Sequence, residues 1–370
     1  MKKLAIIGAS YLQLPLVKKA NALGIYTLCF AWEEGAVCKN DANEFFPVSI
    51  TEKEQILRIC EEKQIEGICT IASDVAAPTV AFVAEKMGLV CNSYEVALRA
   101  NNKYLMRQAF SSAGIPCPAY QKITFCEELD SKNLRFPVII KPTDRSGSLG
   151  IAKVERLEDL QAAVEVALNC SFKHEAIVEE YVEGHEISVE FISYKGLHYP
   201  LQITDKVTTG APHFVELEHH QPADFTKEQY ARIYDLTKKA LDALGVTNGA
   251  SHSEYKITTD GRIYVMEIGA RMGGDFIGSD LVHLSTGYDY LKGVIDVALG
   301  NFEEPVFGER HFAGVYFLCE ETKHFLDIVK EANLPQIVRS EITDAVLRPV
   351  TCSADRSGYL IYQGNKKLEL

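Results

Sequence analysis

Apolar and polar positions divide the chain into two regimes. Up to about residue 93, short apolar runs alternate with stretches of helical period: LAIIGA, LPLVKKANALG, IYTLCFA, TEKEQILRICEEKQ, GICTIA and APTVAFVAEKMG. Strand-sized runs separated by helices are the pattern of βαβ units, which predicts a small, parallel, doubly wound α/β domain ending near Ser93. A helix over NNKYLMRQAFSSAG follows. Gly114 closes it, and Pro116 and Pro118 block its continuation. From Phe136 the strands come in pairs about short turns: FPVIIKP with GIAKV, AIVEEYV with EISVEFISYKG about Glu183-Gly184, and SHSEYKIT with RIYVMEIGA about Asp260-Gly261. Such hairpins predict a second domain of α+β type. An amphipathic helix is expected over 225–245, closed by Gly245, and a further helix from Asp280 to about Gly300. Short strands such as HFAGVYFLC are expected in the last seventy residues. No internal repeat or low-complexity tract is present.

Composition narrows this picture modestly. A chain of 370 residues exceeds the roughly 250–300 residues at which single cores stop growing, so two or three domains are expected. The net charge of −13 argues against a general nucleic-acid or membrane-surface binder, since those neutralise phosphates with clustered Lys and Arg. The apolar run after Lys2-Lys3 is too short for a signal sequence, and no stretch reaches the roughly 20 apolar residues of a membrane span. A cytoplasmic location is expected. Ten cysteines are scattered singly, with neither CxxC nor a Cys/His cluster, so they read as reduced thiols.

The first turn, Gly8-Ala9-Ser10, lies where a dinucleotide fold carries GxGxxG. Two of the three glycines are missing, including the one that lets the backbone approach a pyrophosphate, which argues against NAD or FAD.

Three passages carry chemistry. If Asp260-Gly261 is a two-residue turn, Thr259 faces Arg262, Ile257 faces Tyr264, and Glu254 falls opposite Glu267. Opposed like charges are destabilising without a cation, and all-oxygen ligation suits Mg²⁺. A longer turn would slip this register and send both glutamates to solvent. The second passage, Ser146-Gly147-Ser148-Leu149-Gly150 after Lys141-Pro142, can converge backbone N–H groups on phosphate oxygens beside a lysine. It joins two strands and lacks a GKS or GKT ending, so it is not a Walker A loop, and standing alone it also fits a plain flexible hairpin. The third, Glu179-Glu180-Tyr181-Val182-Glu183-Gly184-His185-Glu186, offers strand-end backbone groups to an adenine edge and a carboxylate to ribose hydroxyls. Alone it also fits a solvated turn.

Taken together these passages resemble the ATP-grasp superfamily. The resemblance covers nearly the whole chain, in order: IIGAS and TIASD, NNKYLMRQAFSSAGIPCP, KPTDRSGSLGIAKV, VEEYVEGHEISVE, HSEYKIT, and VMEIGARMGGD. It implies a Rossmann-like pre-ATP-grasp domain over 1–95 and an ATP-grasp domain of two α+β subdomains over 96–300, its nucleotide flap at about 115–185. The segment 301–370 would complete the fold. Lys103 and Lys141 would contact ATP, with Ser146, Gly147, Ser148 and Gly150 closing over it. Glu179, Glu180 and Val182 would hold adenine, Glu186 the ribose, and Glu254 and Glu267 Mg²⁺ or Mn²⁺. Arg271 would lie over the transferring phosphate or the substrate carboxylate, with Arg271 and Lys141 as the catalytic residues.

The implied activity is an ATP-dependent ligase that activates a small carboxylate, an amino acid among the candidates, as an acyl phosphate and passes it to an amine. Neither nucleic acid nor membrane is an expected partner, and the oligomeric state stays open, a homodimer included. Arg145, Lys206 and His219 would border the site, His219 as a ligand-binding residue. His252 shares a strand face with Glu254. EIGAR and GGD look closer to amino-acid ligases and carbamoyl-phosphate-synthase-like proteins than to biotin carboxylases. Many relatives carry Asn as a third metal ligand where this chain has Gly269. The alternatives are an ATP-binding sensor without turnover, and a carboxylase or glycinamide-ribonucleotide-type enzyme of the same superfamily.

Overall fold

The computed structural model describes residues 1–125, 134–145, 147, 149–331 and 333–370. Three sheets organise it. The first contains β1 (Lys3–Ile7), β2 (Tyr26–Phe30), β3 (Glu44–Phe46) and β4 (Gly67–Cys69), in the order β3-β2-β1-β4. Its strand pairs are parallel, as expected of helical crossovers. In the turn after β1, Gln13 folds inward: its side-chain oxygen accepts from the Ser10 amide at 3.1 Å, and its amide donates to the Ile71 carbonyl at 2.7 Å.

The second sheet holds β5 (Tyr120–Ile123), β6 (Val138–Pro142), β7 (Ala152–Val154) and β8 (Ala176–Glu180), ordered β5-β8-β6-β7. The helix Leu157–Cys170 buries Leu160, Val164 and Ala167 against it. The third has eight strands in the order β13-β12-β9-β10-β11-β14-β16-β15. They are β9 (His185–Tyr194), β10 (Leu197–Thr208), β11 (Glu216–Gln221), β12 (Gly249–Ile257), β13 (Ile263–Gly269), β14 (Phe312–Leu318), β15 (Ile337–Ile342) and β16 (Gly358–Gly364).

The helix Lys227–Leu244 packs its apolar stripe on this large sheet. A Thr226–Gln229 capping box opens it, and Gly245 closes it in the left-handed conformation. Leu4, Ile6 and Leu16 share a core with Ile192, Leu201 and Tyr290, so apolar burial joins the first sheet to the third. No helix among the described residues is long and apolar enough to cross a membrane.

Two expected elements differ. AIVEEYV and EISVEFISYKG do not form a hairpin: β8 pairs with β5 and β6, whereas β9 pairs with β10 and β12. Glu183-Gly184 is a crossing between sheets, and a Cβ on Gly184 would lie 2.6 Å from the Ile257 carbonyl oxygen. The helix expected from Asp280 is interrupted. A π-helical turn Ile277–Leu281 leads into Val282–Thr286, Gly287 turns at φ +73°, and Tyr290–Ala298 resumes. Nine cysteines are described and all are free; Cys126 lies outside the described residues.

Candidate active site

The three sheets enclose a cavity of about 410 Å³, lined by Lys103, Lys141, Lys206, Glu254, Glu267 and Arg271 among others. Glu254 and Glu267 are Cα partners across β12 and β13. The turn that brings them there is not the expected one. Ile257 faces Ile263 and not Tyr264. The Thr258 amide donates to the Arg262 carbonyl at 2.9 Å, and Gly261 takes φ +79°, so the loop is three residues long. A bulge between Glu254 and Tyr255 then restores the register.

Each glutamate meets its own lysine. Lys206 Nζ donates to Glu254 at 2.6 Å and lies 3.4 Å from Glu216, while Lys103 Nζ donates to Glu267 at 3.1 Å and to the Arg145 carbonyl at 2.8 Å. Burial would raise the Glu254 carboxyl, but Lys206 and His252 outweigh it and hold it well below the usual range. Burial opposes the charge on Lys206 as well, and Glu254 and Glu216 more than compensate, leaving it above its ordinary value. His252 Nδ1 bonds Glu190 and its Nε2 lies 3.5 Å from Glu254. These carboxylates raise the ring to about 9 against the cost of burial. The Glu254 and Glu267 side chains keep 34% and 32% exposure, so hard oxygen donors face the cavity, and that donor chemistry fits a divalent cation. No group of three or more His, Cys, Asp or Glu among the described residues could hold a metal ion.

Elsewhere in the cavity wall, Glu179 is pinned between Lys141 at 3.0 Å and Arg107 at 2.6 Å. The Arg107 contact is one of charges without hydrogen-bond alignment. Glu179 lines the cavity with its carboxylate already committed. Glu180 is exposed, and its amide donates to the Ala119 carbonyl at 2.8 Å. Val182 is buried in the cavity wall beside Tyr181, whose ring lies 4.3 Å from Lys153 Nζ and 5.2 Å from Lys256 Nζ. Glu186 pairs with Lys256 at 3.0 Å. Of the glycine-rich loop, Gly147 and Gly150 take φ +68° and +71°. Gly147 lines the cavity, and Gly150 packs so closely on Cys170 that a Cβ would come within 2.8 Å. Ser146 and Ser148 lie outside the described residues. Arg145 stacks on Phe172 at 4.3 Å.

Arg271 grips Asp74 bidentately, Nε and Nη2 donating at 2.8 and 2.9 Å. His219, paired in register with Lys206, is 1% exposed. It lies 4.0 Å from Asp275 and sits edge-on to Phe317. Neither ring nitrogen has a hydrogen-bond partner among the described residues, and burial lowers its pKa. Asp275, at φ +49°, receives both terminal nitrogens of Arg356 at 2.9 and 2.8 Å.

Asp74, Arg107, Glu216, Asp275 and Arg356 were not among the expected site residues. Asp74 follows β4, and the carboxyl ends of parallel strands are where ligand crevices form. Arg107 was detectable as a charge four residues after Lys103, on the helix face that buries Met106 and Phe110. Nothing in its local sequence marks Arg356.

Residues 134–280 match a family model described as the ATP-grasp domain, and the chain has that fold. It is similar to alanine–anticapsin ligase from Bacillus subtilis (strain 168), 28% identical over 245 residues, covering 60% of this chain and 51% of the relative. Similarity to a D-alanine–D-alanine ligase from Pseudarthrobacter chlorophenolicus is 30% over 193 residues, covering 46% of this chain and 50% of the relative. The chain thus spans about half the length of these curated relatives. The solved L-amino acid ligase from Bacillus licheniformis superposes with a TM-score of 0.81 at 23% identity, covering 99% of this chain and 94% of that one.

Proposed function

We propose that the protein is an ATP-dependent carboxylate–amine ligase working through an acyl phosphate and releasing ADP and phosphate. The observation carrying this reading is the convergence of opposed Glu254 and Glu267 with Lys103, Lys141, Lys206 and Arg271 on one cavity. The names of the relatives, amino-acid ligases among them, support it. In this reading adenine lies against Tyr181 and Val182, with Ile139, Ile151 and Met266 also in the wall. Glu186 exchanges Lys256 for the ribose hydroxyls, and the loop 146–150 closes over the phosphates.

A carboxylate oxygen of the substrate attacks the γ-phosphorus, the bond to the β-phosphate oxygen breaks, and ADP leaves. The amine then attacks the acyl carbon and phosphate departs as an amide forms and the amine loses a proton. Lysines 103, 141 and 206 neutralise charge on the phosphoryl oxygens, and Arg271 orients the anionic reacting groups; such positioning carries most of phosphoryl transfer. Glu254 and Glu267 would hold Mg²⁺ or Mn²⁺, which would supply further charge neutralisation. Closure protects the acyl phosphate from water. The same reading assigns 1–95 to the pre-ATP-grasp domain, 96–300 to the ATP-grasp domain and 301–370 to its completion, and places the enzyme in the cytoplasm.

The test is an ADP-release screen of paired amino acids, small carboxylic acids and amines, with mass detection of the amide. ADP formation that depends on both partners is the expected result; ATP binding without turnover across the panel would favour a sensor.

A further inference from the structure

Arg271 and Asp74 are 197 positions apart in sequence, and three separate features fix their contact. The first is the bidentate bond itself, both side chains being about 15% exposed. The second is a backbone tie: the Ala72 amide donates to the Met272 carbonyl at 3.1 Å, with Ala72 at φ +55°, a conformation rarely adopted by residues other than glycine. The third is space. A Cβ on Gly269 would lie 3.0 Å from Asp74 Oδ1 and 3.2 Å from Arg271 Nε and Cζ, so the strand end is bare where the pair sits.

A guanidinium has five N–H bonds. Asp74 takes one from Nε and one from Nη2, and the Met272 carbonyl takes one from Nη1 at 3.2 Å. Among the described residues this leaves one N–H on each terminal nitrogen of a side chain that lines the cavity. Two N–H bonds on adjacent nitrogens match a pair of carboxylate or phosphoryl oxygens.

We infer that Asp74, delivered by the loop after β4, is a positioning residue that locks the Arg271 guanidinium so that its two remaining N–H bonds meet the reacting anion. The first domain thereby contributes to the catalytic step without touching the nucleotide. This rests on the ligase reading above. Misplaced or unsupported catalytic groups typically cost about 10- to 100-fold, and the adenine wall, made by other residues, is left intact.

The experiment compares wild type with Asp74→Asn, Asp74→Ala, Arg271→Ala and Asp74→Ala/Arg271→Ala, using a substrate pair found in the screen. The expected result is a kcat reduced about 10- to 100-fold in both Asp74 variants, with KM for ATP changed less than about threefold and thermal midpoints near wild type. The double variant should be no slower than Arg271→Ala, because Asp74 acts through that side chain. A kcat within about twofold of wild type, or additive losses in the double variant, overturns the inference. In parallel, the Arg271 Nε–H resonance, assigned by its disappearance in Arg271→Lys, should be protected from exchange in wild type and unprotected in Asp74→Asn. An unprotected wild-type signal also overturns the inference. A wild type without turnover defeats the ligase reading, and this resonance still decides whether Asp74 positions Arg271.

Discussion

Arg107 Nε lies 2.6 Å from Glu179 Oε1, and both side chains are only 1% exposed. Removing Glu179 leaves the Arg107 guanidinium buried without its counter-charge, at a cost of about 3–5 kcal/mol, whereas removing Arg107 leaves Glu179 still paired with Lys141 at 3.0 Å. Glu179→Gln is therefore expected to lower stability by about 3–5 kcal/mol in denaturant or thermal melts and Arg107→Met by less; a loss under about 1 kcal/mol for Glu179→Gln would contradict the pair's importance. Burial raises the Glu179 carboxyl, but Arg107 and Lys141 together hold it at about 2, against 4.5 ordinarily. A carboxylate depressed in the folded state contributes stability above its unfolded pKa, which is lost as pH falls through the folded value. Wild type should therefore lose this contribution from about pH 4.5 down to 2, and Glu179→Gln should show a shallower acid slope in that window.

Lys141 connects this buried anchor to the cavity, since its ammonium lies 3.0 Å from Glu179 Oε2. Lys141→Ala should weaken ATP binding about tenfold or more, in line with a lost charge-assisted contact. Arg107 still neutralises Glu179 in this variant, so the fold should persist. Titration calorimetry with ATP checks it; unchanged affinity would remove Lys141 from the phosphate site.

Glu267 is expected to matter for turnover more than for folding, because its side chain is one-third open and paired with Lys103. Glu267→Gln keeps the shape and removes the charge. ADP release with a working substrate pair should drop at least about 100-fold, the scale on which one preorganised charge-stabilising group acts, and the magnesium concentration giving half-maximal rate should rise. Undiminished turnover would end the metal role assigned to this pair.

How the pair becomes opposed shows where sequence reasoning succeeded by compensation. Counting from an assumed two-residue Asp260-Gly261 turn placed Glu254 against Glu267, and the two are partners. The loop is one residue longer than an Asp-Gly turn implies, and Met266 enters as an extra residue, so two one-residue offsets cancel. The bulge does leave a mark, since buried Val265 and Ile268 stand three apart and break the two-residue period, but one such break does not say where the extra residue enters. The β8–β9 connection failed for a related reason. Two strand-like runs about a Glu-Gly turn look like a hairpin locally, and only the long-range pairing, β8 with β5 and β6 but β9 with β10 and β12, shows that the chain changes sheets there. Asp74 ends the TIASD passage after β4, but its meeting with Arg271, 197 positions away, and the reach of Arg356 to Asp275 from a loop near the C-terminus belong to tertiary structure alone.

His219 is a buried imidazole in the cavity wall with both ring nitrogens unpartnered among the described residues. Such a group is costly unless something meets it, and a bound ligand is the partner that the cavity offers. His219→Phe preserves the edge-on packing against Phe317 and removes the ring nitrogens, so affinity for ATP or for one of the two substrates should fall severalfold while the fold remains. Unchanged affinity for all three would leave His219 a packing residue. Burial also lowers its pKa from 6.5. The unfolded chain then binds a proton below about pH 6.5 that the folded one refuses, so this contribution to stability is complete above that pH and declines as pH falls beneath it. His219→Phe should flatten that decline, and unfolding free energies measured between about pH 5 and 7 decide the matter.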